Sequence, residues 1–204
     1  MGIIERKERE KLELKTLILE TATQMFLEDG FEKTSIRNIA DKIEYSPATI
    51  YLHYKDKDEL FFDVHEKGFV LLFEKMQLLF EIKNPLERLH HMGEVYLSFA
   101  FENPEFYDLM FIMQAPMECL SKNNETEWDC GMKNFNILHQ TVVECMEQGL
   151  IKSDDADVAT MSIFSFVHGL VSLAIRNRFM MYDKDALPQL FKRSIENMLG
   201  LMTA

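Results

Sequence analysis

Between Thr34 and Leu60 the chain reads Thr-Ser-Ile-Arg-Asn-Ile-Ala-Asp-Lys-Ile-Glu-Tyr-Ser-Pro-Ala-Thr-Ile-Tyr-Leu-His-Tyr-Lys-Asp-Lys-Asp-Glu-Leu. Two short helices, a tight turn and the start of a third fit into that stretch. Ile36, Ile39, Ala40 and Ile43 recur at helical spacing, so one face of the first helix must pack inward. Thr34 or Ser35 can cap it. Ser46-Pro47 opens the second helix, with a hydroxyl at the N-cap and a proline where no N–H is needed. Its outward side, Pro47, Ala48, Thr49 and Leu52, is small and uncharged. Such a surface can sink into a DNA major groove, and Tyr51, Tyr54, Lys55 and Lys57 follow as donors suited to phosphates. The alternative is a three-helix packing unit with no nucleic-acid role.

The rest of the chain continues in helices. Leu14, Leu17, Ile18, Thr21, Ala22, Met25 and Phe26 form a helical stripe ahead of the motif, and Gly30 stops that helix with Phe31 folding back on it. Asp56 with Glu59 makes a capping-box-like start for a fourth helix, from Lys57 to about Ile82. Asn84-Pro85 starts a fifth to about Glu102, and Asn103-Pro104 a sixth to about Gln114. Pro116 and the stretch from Ser121 to Asn124 read as a loop. A seventh helix is expected from about Glu127 to Gln148, an eighth from Ser153-Asp154-Asp155 to about Phe179, and a ninth from Lys184 or Asp185 to Gly200. Nothing reads as a strand. The expected class is all-α, with an N-terminal helix-turn-helix domain over residues 1–57 and a helical body over 58–204, the fourth helix being their rigid joint.

Composition sharpens this. Sixteen Phe and 14 Met against 8 Gly favour an aromatic-lined helical interior with few turns. A net charge of −12 argues at first against nucleic acid, since DNA affinity rests on phosphate neutralisation. The charge is unevenly spread, however. Residues 1–57 hold ten Lys or Arg and eleven Asp or Glu, so the body carries nearly all the excess and only the near-neutral head can approach a duplex. Arg6, Lys7, Arg9 and Lys11 would add an electrostatic arm, or, with Glu interleaved, form a solvated helix end. Cys119, Cys130 and Cys145 are odd in number without CxxC spacing, which points to neither a disulfide framework nor a zinc site. A cytoplasmic home is expected, since no basic-then-apolar leader precedes the first helix. Val158 to Ile175 has the length of a membrane span, but Thr160, Ser162, Ser165, His168, Gly169 and Ser172 make it too polar for lipid and favour a buried helix.

The string from Tyr51 to Leu60, about 20 residues after Gly30-Phe31-Glu32-Lys33-Thr34-Ser35, strongly resembles the N-terminal domain of the TetR family of bacterial transcriptional regulators. Ile39-Ala40, Ser46, Thr49, Ile50-Tyr51, Tyr54 and Lys57-Glu59-Leu60 carry the likeness over roughly residues 10–65. Glu44 stands where the family commonly has Gly at the bend, and Pro47 replaces a frequent basic or polar residue. The resemblance implies a DNA interface of Thr34, Ser35, Ser46, Pro47, Ala48, Thr49, Tyr51, His53, Tyr54, Lys55 and Lys57. Thr34, Tyr51, Tyr54, Lys55 and Lys57 would anchor phosphates, while Ala48, Thr49 and His53 meet base edges in a near-palindromic operator.

The helix order of the body also resembles the family layout, in which the last two long helices pair with those of a second subunit. Here Ile163, Phe164, Phe166, Val167, Leu170, Val171, Leu173 and Ala174 make the eighth helix apolar on nearly all sides, which a monomer could not cover. Leu187, Leu190, Phe191, Ile195, Met198 and Leu199 add to it from the ninth, and a homodimer is expected. Of the body's aromatics and thioethers, Phe69, Phe73, Met76, Tyr96, Phe99, Tyr107, Phe111, Phe135, His139, Phe164 and His168 are the candidate lining of a small apolar-effector cavity, with Phe106 and Met113 nearby. Tyr96, Asn134, His139 and His168 are its candidate polar anchors, and the bland alternative is that most are core. His90 and His91, being adjacent, cannot chelate as an i, i+4 pair would. No catalytic triad, phosphate loop or cofactor site stands out, so enzyme activity is not expected. The expected function is a regulator, a repressor released by a small apolar ligand. The rival is a helical dimer that binds a protein or lipid-like partner without DNA.

Overall fold

The computed structural model describes residues 2–114, 117 and 129–203, with Ile3 and Ile4 as backbone only. The expected loop at Pro116 and Ser121 to Asn124, the expected start of the seventh helix at Glu127, and Cys119 lie outside the described residues. Nine α-helices occur among the described residues: α1 (Ile3–Asp29), α2 (Ile36–Lys42), α3 (Pro47–Ile50), α4 (Lys57–Gln77), α5 (Pro85–Glu102), α6 (Pro104–Phe111), α7 (Asp129–Glu147), α8 (Ala156–Ile175) and α9 (Leu187–Met202). There is no strand among them, only an isolated bridge between Ile151 and Thr203. They form two compact units, the first within Met1–Gly68 and Glu105–Trp128, the second within Phe69–Pro104 and Asp129–Ala204. α4 contributes to the first up to Gly68 and to the second from Phe69.

Helix ends follow local chemistry. Ser35 caps α2 by accepting from the Asn38 N–H, and Ser46 caps α3 by accepting from that of Thr49, with Pro47 in the first turn. Asn84 accepts from the amides of Leu86 and Glu87 ahead of Pro85, and Asp155 accepts from Val158. The expected ends need trimming at three places. α4 stops at Gln77 and its tail tightens into a 3-10 turn over Leu78–Glu81. α6 ends at Phe111, and α8 ends at Ile175, where Asn177 turns the chain with φ 52°. Asn is among the residues that tolerate this left-handed conformation.

The first unit is built on Ile18, Ala22 and Phe26 of α1, Ile36, Ile39 and Ala40 of α2, Ile50 of α3 and Leu60, Phe61 and Val64 of α4, all buried. Gly30 ends α1 with φ 84°, and Phe31 returns onto Phe26 and Phe61 with ring centroids 5.9 and 4.5 Å away. A Cβ at Gly68 would meet the Met110 sulfur at 2.6 Å, so its glycine lets α6 lie close to α4.

In the second unit, α5 packs against α7, α8 and α9. Arg88 of α5 is 4% exposed, and each of its three guanidinium nitrogens has a partner. It donates to Thr141 Oγ1 at 3.2 Å, to the Ile82 carbonyl at 3.3 Å and to Glu144, and lies over the Phe80 ring. Cys145 is fully buried nearby, and burial raises its thiol pKa to about 11, which leaves it inert.

α8 departs from the expected buried helix. Only 28% of its apolar 18-residue stretch is buried inside the chain, and Val158, Met161, Phe166 and Leu173 face outward. Ser162, Ser165 and Gly169 lie among them, and a Cβ on Gly169 would meet open space.

Arg88→Met should cost about 2 kcal/mol, below the ~3–5 kcal/mol for breaking a fully buried pair because Glu144 keeps some solvent. A fall of about 4–8 °C in the melting temperature is expected, and an unchanged melt would contradict the clamp.

Candidate functional site

α3 is one helical turn long, too short to persist alone, so its neighbours must hold it. Ile50 plugs it into the core, and the chain turns back over 51–53 to bring Tyr54 inside, 2% exposed. Lys15 of α1 lies above the Tyr54 ring at 5.1 Å and pairs with Asp63 of α4 at 3.3 Å. On the outside, Ser46, Ala48, Tyr51 and Leu52 are exposed, and Pro47, Thr49 and His53 are half-buried. Tyr51 and Leu52 project from this surface at 55% and 76% exposure.

Three expected phosphate anchors need correction. Thr34 is 1% exposed, and its hydroxyl donates to the Met25 and Gly30 carbonyls, tying the end of α1 to the start of α2. Tyr54 is a core residue whose phenol pKa is raised, first by burial and then by the Asp63 charge. Lys57 turns inward. Its ammonium donates to the carbonyls of Phe31 at 2.9 Å and Thr34 at 3.2 Å, and sits 3.7 Å from the centroid of the Phe31 ring. These three residues fix the motif from behind. Ser35, Ser46, Tyr51 and Lys55 keep solvent-facing positions, although the Ser35 and Ser46 oxygens already serve as caps. The Lys55 amide donates to Glu59 at 2.5 Å, leaving its side chain outside.

His53 closes the exposed face. Its pKa is lowered, first by burial and then by the charges of Lys11 and Lys15, so the ring is neutral near pH 7. Lys15 of α1, 5.1 Å from the Tyr54 ring, lies on the same side as this turn, a proximity that sequence spacing alone does not reveal.

The bend between α2 and α3 runs through Glu44 at φ 59°, with its amide bonded to the Asp41 carbonyl and that of Tyr45 to Ala40. The glycine-like geometry is thus kept with a glutamate in it. A left-handed non-glycine residue costs about 1–2 kcal/mol.

In the second unit, part of the expected effector lining converges. Tyr96 of α5 and His168 of α8 share a hydrogen bond of 3.1 Å, Phe164 stacks on His168 at 5.5 Å, and Tyr96 meets Phe164 edge-on at 6.3 Å. The pKa of His168 is lowered by burial and secondarily by Arg176, so a neutral imidazole faces the phenol. Phe135 and His139 stack at 6.5 Å on α7, and His139 lies 3.1 Å from Asp157. Asn134 donates to the carbonyls of Phe69 and Cys130, while its buried carbonyl oxygen has no hydrogen-bond partner among the described residues. Phe69, Met76 and Phe99 are buried and Phe73 half-buried in this unit, whereas Tyr107 and Phe111, 5.2 Å apart, belong to the first.

An open apolar cleft of about 580 Å³ lies elsewhere in the second unit, lined by Phe101, Ile175, Phe179, Met180, Leu187 and Phe191 among others. None of the eleven expected effector residues lines it. It is assembled from helix ends, which carry no periodic signal.

Two families match the chain: one described as bacterial regulatory proteins, tetR family, over residues 18–64, and one described as tetracycline repressor-like, C-terminal domain, over 89–198. The chain is 22% identical over 188 residues to the HTH-type transcriptional regulator AcrR of Shigella flexneri, covering 84% of this chain and 81% of that one. It is 23% identical over 180 residues to a probable acrEF/envCD operon repressor of Escherichia coli K12, covering 84% and 80%. The fold superposes on FadR of Bacillus subtilis in complex with stearoyl-CoA with a TM-score of 0.72 at 22% identity, covering 90% of this chain and 96% of that one.

Glu44→Gly removes the left-handed penalty at an exposed site and gives back part of it as backbone entropy. A net gain of about 0.5–1 kcal/mol in a denaturant titration is expected, and a loss of stability would show that the glutamate is not strained.

Proposed function

Because the chain belongs to the tetR family of bacterial regulators, we propose that it is a cytoplasmic repressor whose two copies release a near-palindromic operator when a small apolar effector binds. It is a DNA-binding transcriptional regulator, and regulators of this family are not enzymes; they dimerise and bind small molecules. The observation that carries the finer reading is the outer face of α3. Ala48, Tyr51 and Leu52 are exposed on a turn pinned from beneath by Ile50 and Tyr54. Thr49, Ala48 and His53 meet base edges, with Pro47 at the entry. Ser35, Ser46, Tyr51 and Lys55 take flanking phosphates. Two such faces read half-sites one helical turn or a multiple apart.

The second copy covers α8. A helix with Val158, Met161, Phe166 and Leu173 exposed, and small residues between them, suits close packing against its own copy across a two-fold axis. Residues 1–57 act as the DNA domain and 58–204 as the effector and dimerisation domain.

Effector binding acts at the Tyr96, Phe164 and His168 cluster, where a phenol and a neutral imidazole offer polar anchors beside aromatic faces. A coupling of about 1–3 kcal/mol suffices to empty the operator. One structural relative holds stearoyl-CoA, which makes a long-chain acyl thioester the first compound to try.

A gel shift with the DNA flanking its own gene should give a specific complex, weakened about fivefold by Tyr51→Phe through the loss of one hydrogen bond. Equal affinity for that DNA and for a scrambled duplex would overturn the reading. In sedimentation, Phe166→Glu should convert a two-chain species into single chains, and a wild-type protein that is already a single chain would refute the dimer.

A further inference from the structure

α1 is longer than the three-helix head requires. Among its described side chains the first fully buried one is Ile18, and the preceding residues from Ile3 on add about 22 Å of helix at 1.5 Å per residue. This extension also precedes residue 18, where the family match begins. Its charges are sorted by face. Arg6 pairs with Glu10 at 2.7 Å and Arg9 with Glu13 at 3.5 Å, each at i, i+4. Lys7, Lys11 and Lys15 stand at i, i+4 and i+8, one row in register with Ile18 and Ala22, the residues that face the core. Glu8 lies beside this row, yet no ion pair to Lys7 or Lys11 occurs among the described residues.

The row is aimed at a particular place. Lys15 reaches Asp63 and the Tyr54 ring, beside the turn that follows α3, and Lys11 stands one helical turn before it on the same face, its charge felt at His53. A line of ammonium groups therefore borders the candidate reading surface of a chain whose net charge is −12. In such a chain Lys7 and Lys11, exposed and without an ion pair among the described residues, are complementary to an anionic duplex rather than to the protein itself.

We propose that the N-terminal extension of α1 is a second DNA-contacting element, in which Lys7 and Lys11 bind backbone phosphates beside the groove occupied by α3. Arg6 and Arg9, held by their glutamates, do not take part. The inference rests on the reading of α3 as the DNA-facing helix and adds residues to that interface. Its contribution is sequence-independent, because ammonium–phosphate contacts position a protein without reading bases.

The test uses the full-length protein, the duplex flanking its own gene and a scrambled duplex of equal length, titrated between about 50 and 200 mM salt. The Lys7→Gln, Lys11→Gln double variant should bind both duplexes about tenfold or more weakly. Its salt slope should be shallower by about 3 to 4, for two lysines in each of two copies. The charge-neutral Arg6→Gln, Glu10→Gln variant should bind as the wild type does, and so should Lys67→Gln, which removes a charge from α4 elsewhere in the first unit. Thermal melting should be unaltered in all three. A double variant with wild-type affinity and slope would overturn the arm while leaving the α3 reading intact. An equal loss in Lys67→Gln would reduce the effect to net charge and overturn it as well. A wild-type protein that binds neither duplex would sink the DNA reading together with the arm.

Discussion

A helix of four residues cannot hold its own shape in water, and everything proposed for this protein requires α3 to be presented rigidly at the surface. Several contacts supply that rigidity. Ser46 and Pro47 set the first turn, and Ile50 and Tyr54 are buried beneath it. Thr34 and Lys57 then lock the turn between α1 and α2 to the start of α4 through the carbonyls of Met25, Gly30, Phe31 and Thr34. The side chains that grip this frame are committed to backbone carbonyls and the core. The face left for recognition is small, carrying Ala48, Tyr51, Leu52 and the edges of Thr49 and His53. The strain at Glu44 belongs to the same constraint, since the bend requires a left-handed residue whatever the side chain.

A different constraint governs the second unit. There α5 is fixed to α7 by the Arg88 clamp, and one side of α8, carrying Ile163, Val167 and Val171, is buried. The opposite side keeps its apolar residues in water. An exposed helix face of that kind is costly in an isolated chain, and a two-fold copy of itself is the simplest cover that leaves no apolar edge. The Tyr96–His168 contact joins α5 to α8, so an effector that competes for this hydrogen bond acts on a helix that also carries the outward apolar face.

How much of this was legible in the sequence depended on whether a feature is local. Ser46-Pro47, Asn84-Pro85 and Ser153-Asp154-Asp155 marked helix starts that the structure reproduces, the last with Asp155 as the cap, because a cap and its amide partners lie within three residues of one another. The need for an unusual backbone at Glu44 could be read from a single position. The direction of a hydroxyl or an ammonium could not. Thr34, Tyr54 and Lys57 have the composition of phosphate anchors, but their partners Met25, Asp63 and Phe31 sit up to 26 residues away, and only the tertiary fold turns these groups inward. The Phe101, Phe179 and Phe191 cleft escaped for a related reason, as it joins ends of three segments with no shared period. Arg6, Lys7, Arg9 and Lys11 read equally as an electrostatic arm or a solvated helix end, and only the fold shows that the arginines pair with Glu10 and Glu13 while Lys7 and Lys11 stand in one row with Lys15.

The central claim is that α3 and the turn after it form the DNA-facing surface. Backbone hydrogen exchange of the full-length protein, with and without the duplex flanking its own gene, tests it most directly. The account predicts slowed exchange concentrated over residues 46–55 and at the start of α2. Slowing confined to the second unit, with residues 46–55 unchanged by bound DNA, would contradict it.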